Sequence, residues 1–145
     1  MKTVAILSQK GGAGKTALAI HLAVAADAAK RPAAIIDLDP QASATSWKDL
    51  RQSETPPVVS AQVARLPQVL KTAQEHGAAL AIIDTAPHSE ATALAAARAA
   101  DLNCDPMPHG HLGLGGESCH RRFSQACREA RLHSIARHSP QRSTW

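Results

Sequence analysis

Apolar residues over the first hundred positions fall into short blocks punctuated by glycine, proline and polar residues. "TVAILS" (3–8), "AAIIDLD" (33–39) and "ALAIIDTAP" (79–87) are compact apolar runs of the length expected for buried strands. Between them lie longer stretches with helical character. "ALAIHLAVAADAA" (17–29) is free of proline and rich in strong helix formers. In "VARLPQVLKTAQEHG", Leu66, Val69, Leu70 and Ala73 recur at helical spacing, with Pro67 suited to a first turn and Gly77 to a C-cap. "SEATALAAARAA" (89–100) starts with Ser89 as candidate N-cap. Arg31-Pro32 reads as a turn, Pro40 ends the second strand, and the residues after it read as a polar loop. Strands alternating with helices predict an α/β fold with a parallel sheet flanked by helices. The periodicity stops at Leu102, which divides the chain into a domain over 1–102 and a tail over 103–145.

Composition narrows this picture only slightly. At 145 residues the chain has room for one core. Small side chains dominate its first hundred residues, where Trp47 is the single aromatic, so helices can approach the sheet closely. No apolar run nears the roughly 18 to 20 residues that cross a bilayer, and Met1-Lys2 leads directly into a strand, so a cytoplasmic protein is expected. The net charge of +4 is modest and does not announce a nucleic-acid surface. All three cysteines (Cys104, Cys119, Cys127) lie in the tail, and their odd number argues against a closed disulfide framework.

The candidate chemistry sits at the strand ends. "SQKGGAGKT" (8–16) joins the first strand to the first helix, and a glycine-rich loop there aims backbone N–H groups at an anion near the positive end of the helix. Gly11, Gly12, Ala13 and Gly14 would form the phosphate cradle, Lys15 would reach the β- and γ-phosphates, and the Thr16 hydroxyl would bind Mg²⁺. The common Gly-x-x-x-x-Gly-Lys-Ser/Thr pattern needs a first glycine where this chain has Gln9, and a second lysine, Lys10, follows instead. Asp37, Asp39 and Asp84 end the second and third apolar runs, where a metal and an attacking water would be managed. Asp37 and Asp39 are expected to point to opposite sides, so that only one faces the phosphates.

"KGGAGKT", "DLDPQAS" and "IIDTAP", in this order and spacing, resemble the deviant Walker A ATPases of the ParA/MinD superfamily, specifically the ParA group of DNA-partition proteins. The resemblance covers residues 1–102 and implies a P-loop NTPase fold that binds and hydrolyses ATP with Mg²⁺ in plasmid or chromosome partitioning. It also implies that Lys10 reaches across an ATP-dependent homodimer to the partner's phosphates. By the same resemblance Asp39 positions the attacking water, Asp37 supports metal and loop, Asp84 holds Mg²⁺, and Thr85 to Pro87 form a γ-phosphate-sensing switch. Non-specific DNA and a centromere-binding ParB-like protein are the partners implied. A MinD-like membrane-cycling ATPase is an alternative within the superfamily, disfavoured because no basic amphipathic C-terminal helix is visible. A non-catalytic nucleotide-binding fragment is an alternative outside the catalytic class.

The tail departs from this family pattern. Relatives of the short type continue for about another hundred residues, so the chain reads as truncated, with impaired activity and with the phosphate-loop strand left as an uncovered edge. Cys104, His109, His111, Cys119, His120 and Cys127 include zinc-ligand types, but their spacing fits no paired template. Back-translation of "DPMPHGHLGLGG" (105–116), read one nucleotide later, permits the string IPCRTAILDLE. That string resembles the family's own continuation, so the tail is expected to be a frameshifted translation, largely disordered or at most a loose helix near 120–137.

Overall fold

The computed structural model describes residues 1–8 and 11–106. Lys10, the tail's histidines, Cys119, Cys127 and the region near 120–137 lie outside the described residues.

The apolar runs form strands shorter than the runs themselves. The elements are β1 (Lys2–Ile6), α1 (Lys15–Ala28), β2 (Ala33–Asp37), α2 (Ser43–Asp49), β3 (Val58–Ser60), a 3-10 turn (Val63–Arg65), α3 (Leu66–Glu75), β4 (Leu80–Asp84), α4 (Glu90–Ala99) and β5 (Leu102–Cys104). All sheet pairings are parallel, in the order β3-β2-β4-β1-β5. The segment after Pro40, expected to be loop, contributes α2 and β3. Its side chains are mostly polar, and it carries little periodicity to reveal them.

The sheet is covered on both faces, as a parallel sheet requires. Ile36, Leu38, Ala81 and Ile83 pack with Leu66 of α3 and Ala96 of α4. On the opposite face α1 lies against β4, β2 and β1, with Ala19 and Ala23 wholly buried. Alanine at these contacts lets the helix axis come close without voids. Every residue of β2 is buried, and truncating one of the isoleucines Ile35, Ile36, Ile82 or Ile83 to alanine is expected to cost about 2 to 5 kcal/mol. Pro67 stands in the first turn of α3 and Gly77 follows its end at φ 82°. Ser89 caps α4 in position, although its hydroxyl bonds Thr92 Oγ1 (2.7 Å) and leaves the helix N–H groups alone.

The uncovered edge expected at β1 does not occur. β5 pairs with it, matching Val4 to Leu102, Ala5 to Asn103 and Ile6 to Cys104, and Leu7 N–H donates to Cys104 O (2.7 Å). A ladder uses backbone groups, so three residues with no sequence signature suffice. Asp101 seats them. Its N–H donates to Thr3 O (2.9 Å), its Oδ2 accepts from Thr3 N–H (2.7 Å), and its Oδ1 meets Lys2 Nζ at 3.2 Å. The Thr3 N–H, followed by Lys2, holds the Asp101 carboxyl below the usual carboxylate range. A lowered acid pKa means stability that is present above the ordinary value and is lost as pH falls through the lowered one. Asp101→Ala should therefore speed amide exchange at Thr3 by about tenfold at pH 7, and the difference from the parent chain should shrink in acid. Site-resolved hydrogen exchange reads both. Among the described residues no helix is long and apolar enough to cross a membrane.

Candidate nucleotide site

The C-terminal ends of β1, β2 and β4 converge, with Ile6 and Asp37 flanking Asp84 in register on either side. The chain leaves β1, turns through the glycine loop and enters α1 at Lys15. Gly12 and Gly14 take left-handed conformations, φ 73° and 74°, which glycine adopts without the penalty of a β-carbon. A β-carbon at Gly11, Gly12 or Gly14 would meet nothing within 4 Å. The requirement at Gly12 and Gly14 is thus one of backbone angle, and the concavity beside the loop is open. Gly14 caps α1 with no side-chain hydrogen bond, so the first-turn N–H groups face the loop uncapped by a side chain. That combination is a ready anion cradle.

Beneath the loop, Lys15 is buried and lies close enough to Asp84 to favour its ionised form, as does the Thr16 hydroxyl. Asp84 is fully buried, and neither of its oxygens has a partner within normal hydrogen-bond geometry among the described residues, the Thr16 hydroxyl acting on it from just outside that geometry. Burial, opposed by Thr16 and reinforced by the Asp37 charge, pushes its pKa up to about 6. An orphaned buried carboxylate next to a threonine hydroxyl is the donor set a magnesium ion accepts. No three His, Cys, Asp or Glu side chains form a metal cage among the described residues. A magnesium ion here would therefore rest on Asp84, Thr16 and oxygens of a bound phosphate, which is how that ion is usually held.

Asp37 is equally buried but differently employed. Its Oδ1 accepts from Asp39 N–H (3.1 Å), and its Oδ2 accepts from both the N–H and the hydroxyl of Thr45, each at 3.1 Å. Asp39 is half-buried, and its Oδ1 accepts from Gln41 N–H (2.9 Å). The two carboxylates have different hydrogen-bond partners. Residues two apart on a strand share a face, so alternation does not set them on opposite sides; β2 ends at Asp37, and Asp39 lies beyond it, just before the turn. Thr85 is buried, and its hydroxyl donates to Ile6 O (2.7 Å), tying the end of β4 to the end of β1. Thr45 was not anticipated. The only signal was a threonine at the start of a polar segment, and its partner lies eight residues away.

A groove of about 1430 Å³, lined by Ala34, Ile36, Val69 and His76 among others, runs along the α3 face of the sheet. The glycine loop and Asp84 belong to the α1 face, and the groove reaches the site's segments at Asp39 and at Ala86.

Residues 4–105 match the profile of the CobQ/CobB/MinD/ParA nucleotide binding domain. The chain belongs to this family. The maintenance of carboxysome distribution protein A of Gloeobacter kilaueensis is 40% identical over 124 residues, covering 83% of this chain and 56% of that protein. The chromosome partitioning protein ParA of Myxococcus xanthus is 41% identical over 51 residues, 35% of this chain and 18% of that one. The chain thus spans little more than half the length of the first relative and a smaller part of the second. Two solved structures share the fold. Cobyrinic acid a,c-diamide synthase from Mycobacterium smegmatis, with ADP and magnesium bound, has a TM-score of 0.61 at 18% identity, over 91% of this chain and 69% of that one. A Cyanothece McdA–ATP complex has a TM-score of 0.53 at 21% identity, over 73% of this chain and 56% of that one. The P-loop α/β architecture of the family therefore holds for residues 1–8 and 11–106.

Proposed function

We propose that the chain binds Mg-ATP in the cradle of Gly11, Gly12, Ala13, Gly14, Lys15 and Thr16 and belongs to a ParA-type ATPase cycle. The observation that carries this reading is the orphaned, buried Asp84 carboxylate beside Lys15 and Thr16. A metal–phosphate complex would satisfy its oxygens, which no described residue meets within normal hydrogen-bond geometry. In this reading the backbone N–H groups and Lys15 hold the phosphates, and Thr16 and Asp84 hold the ion that neutralises the developing charge. Asp39 orients the attacking water, and Asp37 keeps its segment in place. Lys10 serves the nucleotide of a second copy, which makes turnover depend on an ATP-bound homodimer. Non-specific DNA and a ParB-like protein are the partners in a partitioning role, in the cytoplasm. The 40% identity to a carboxysome-distribution protein supports distribution of a protein body as a second role for the same cycle.

Two measurements test this. Fluorescent-nucleotide titration should give Mg-dependent binding, and phosphate release under multiple turnover should exceed the buffer rate. Binding without turnover would reduce the chain to a nucleotide-binding fragment. Asp39→Ala should retain binding, lose at least about 10² in turnover, and accumulate as an ATP-bound dimer in size-exclusion chromatography. Unchanged turnover would show that another group positions the water.

A further inference from the structure

Asp37 and Asp84 are neighbours in register on adjacent strands, both without solvent exposure, yet their surroundings are opposite. Among the described residues no donor meets Asp84 within normal hydrogen-bond geometry, whereas three meet Asp37, one at the start of the β2–α2 connection and two from Thr45 in the first turn of α2. A single buried carboxylate thus clasps both ends of the segment that carries Asp39. Inside the segment, Ala42 N–H donates to Asp39 O (2.8 Å), and Ala42 is held at φ 52°. A non-glycine residue in that conformation persists where surrounding bonds over-determine it.

We propose that Thr45 is a positioning residue for hydrolysis, acting through Asp37 to fix the place of Asp39. The proposal rests on the ATPase reading above and deepens it. Asp37 sits against the like charge of Asp84, so its orientation depends on the donors that face it. The Thr45 hydroxyl is one of the two donors seen on Oδ2 among the described residues. Without it the carboxylate rotates toward other partners, the Asp39 N–H loses a fixed acceptor, and the segment gains freedom. Misplacing a water-orienting group by about 1 Å costs on the order of 10² in rate, while phosphates held by the glycine loop are unaffected. The effect therefore falls on turnover rather than affinity.

Thr45→Val keeps size and backbone N–H and removes only the hydroxyl, Thr45→Ser restores it, and Thr45→Ala is the substitute should valine perturb folding. In the full chain, valine should lower turnover about tenfold or more, leave nucleotide affinity within about threefold, and speed amide exchange at Asp39 about tenfold. Serine should restore both turnover and protection at Asp39. Wild-type turnover in Thr45→Val, equal impairment by valine and serine, or parallel loss of affinity and turnover would overturn the role of the hydroxyl. If the parent chain binds nucleotide but does not turn it over, the ATPase reading fails. The exchange measurement then decides separately. Unchanged protection at Asp39 in Thr45→Val overturns the positioning role, and accelerated exchange upholds it.

Discussion

Lys15→Ala is expected to abolish Mg-dependent nucleotide binding, while Lys10→Ala leaves binding intact and removes hydrolysis. Unit charges about 4 Å apart interact by roughly 4 kcal/mol at an effective dielectric near 20, so removing the Lys15 ammonium from the phosphates should weaken binding by about 10² to 10³. The loss is compounded inside the protein. Lys15 is buried beside Asp84, and its removal leaves two buried carboxylates with less opposing charge, so nucleotide-free Lys15→Ala should also unfold at lower denaturant. Lys15→Arg is not expected to repair this, because a planar, delocalised guanidinium does not replace a compact ammonium point charge. For Lys10 the expectation is different. A cation supplied across a dimer acts on the transition state, and such groups are worth about 10³ to 10⁵ in rate. Titration calorimetry and phosphate release on the two variants separate the roles. Equal loss of binding in both would remove the trans role of Lys10.

Asp84→Asn should make the nucleotide-free chain more stable at neutral pH and at the same time eliminate its stabilisation by Mg-ATP. The folded-state pKa of Asp84 is about 6, above its ordinary 3.8, chiefly through burial. Between those values the folded state binds more protons than the unfolded one, so stability decreases as pH rises from about 4 through 6 and then levels off. Two units correspond to roughly 3 kcal/mol. Asparagine removes the charge but brings an amide that also needs a partner, so a net gain of about 1 kcal/mol at pH 7.5 is expected. Urea unfolding of the nucleotide-free parent at pH 5 and 7.5 should show the decline, and Asp84→Asn should flatten that part of the profile. Adding Mg-ATP at pH 7.5 should raise the midpoint of the parent and leave that of the variant unmoved. A variant stabilised by Mg-ATP as strongly as the parent would show that the ion is held elsewhere. Removing the destabilising group also removes the ligand, the usual exchange between stability and function at a site.

Local chemistry in the sequence determined most of the scaffold. The apolar runs at 3–8, 33–39 and 79–87 became β1, β2 and β4, and the helix-forming stretches became α1, α3 and α4, because burying a strand or a helix face needs a periodic pattern within a few neighbouring residues. The glycine loop was legible for the same reason, since left-handed backbone at Gly12 and Gly14 is written in the residue type itself. The tertiary structure decided what depends on partners distant in the chain. β5 exists because the backbone of β1 offers an open ladder and Asp101 meets Thr3 from across the sheet. α2 and β3 form in a polar segment that has little periodicity of its own. Asp37 and Asp84 looked alike as acids at strand ends, and register set them side by side. Yet Thr45 and Asp39 satisfy one, while no described residue meets the other within normal hydrogen-bond geometry. A buried carboxylate takes its character from the donors that reach it, and those are fixed only when the chain has folded.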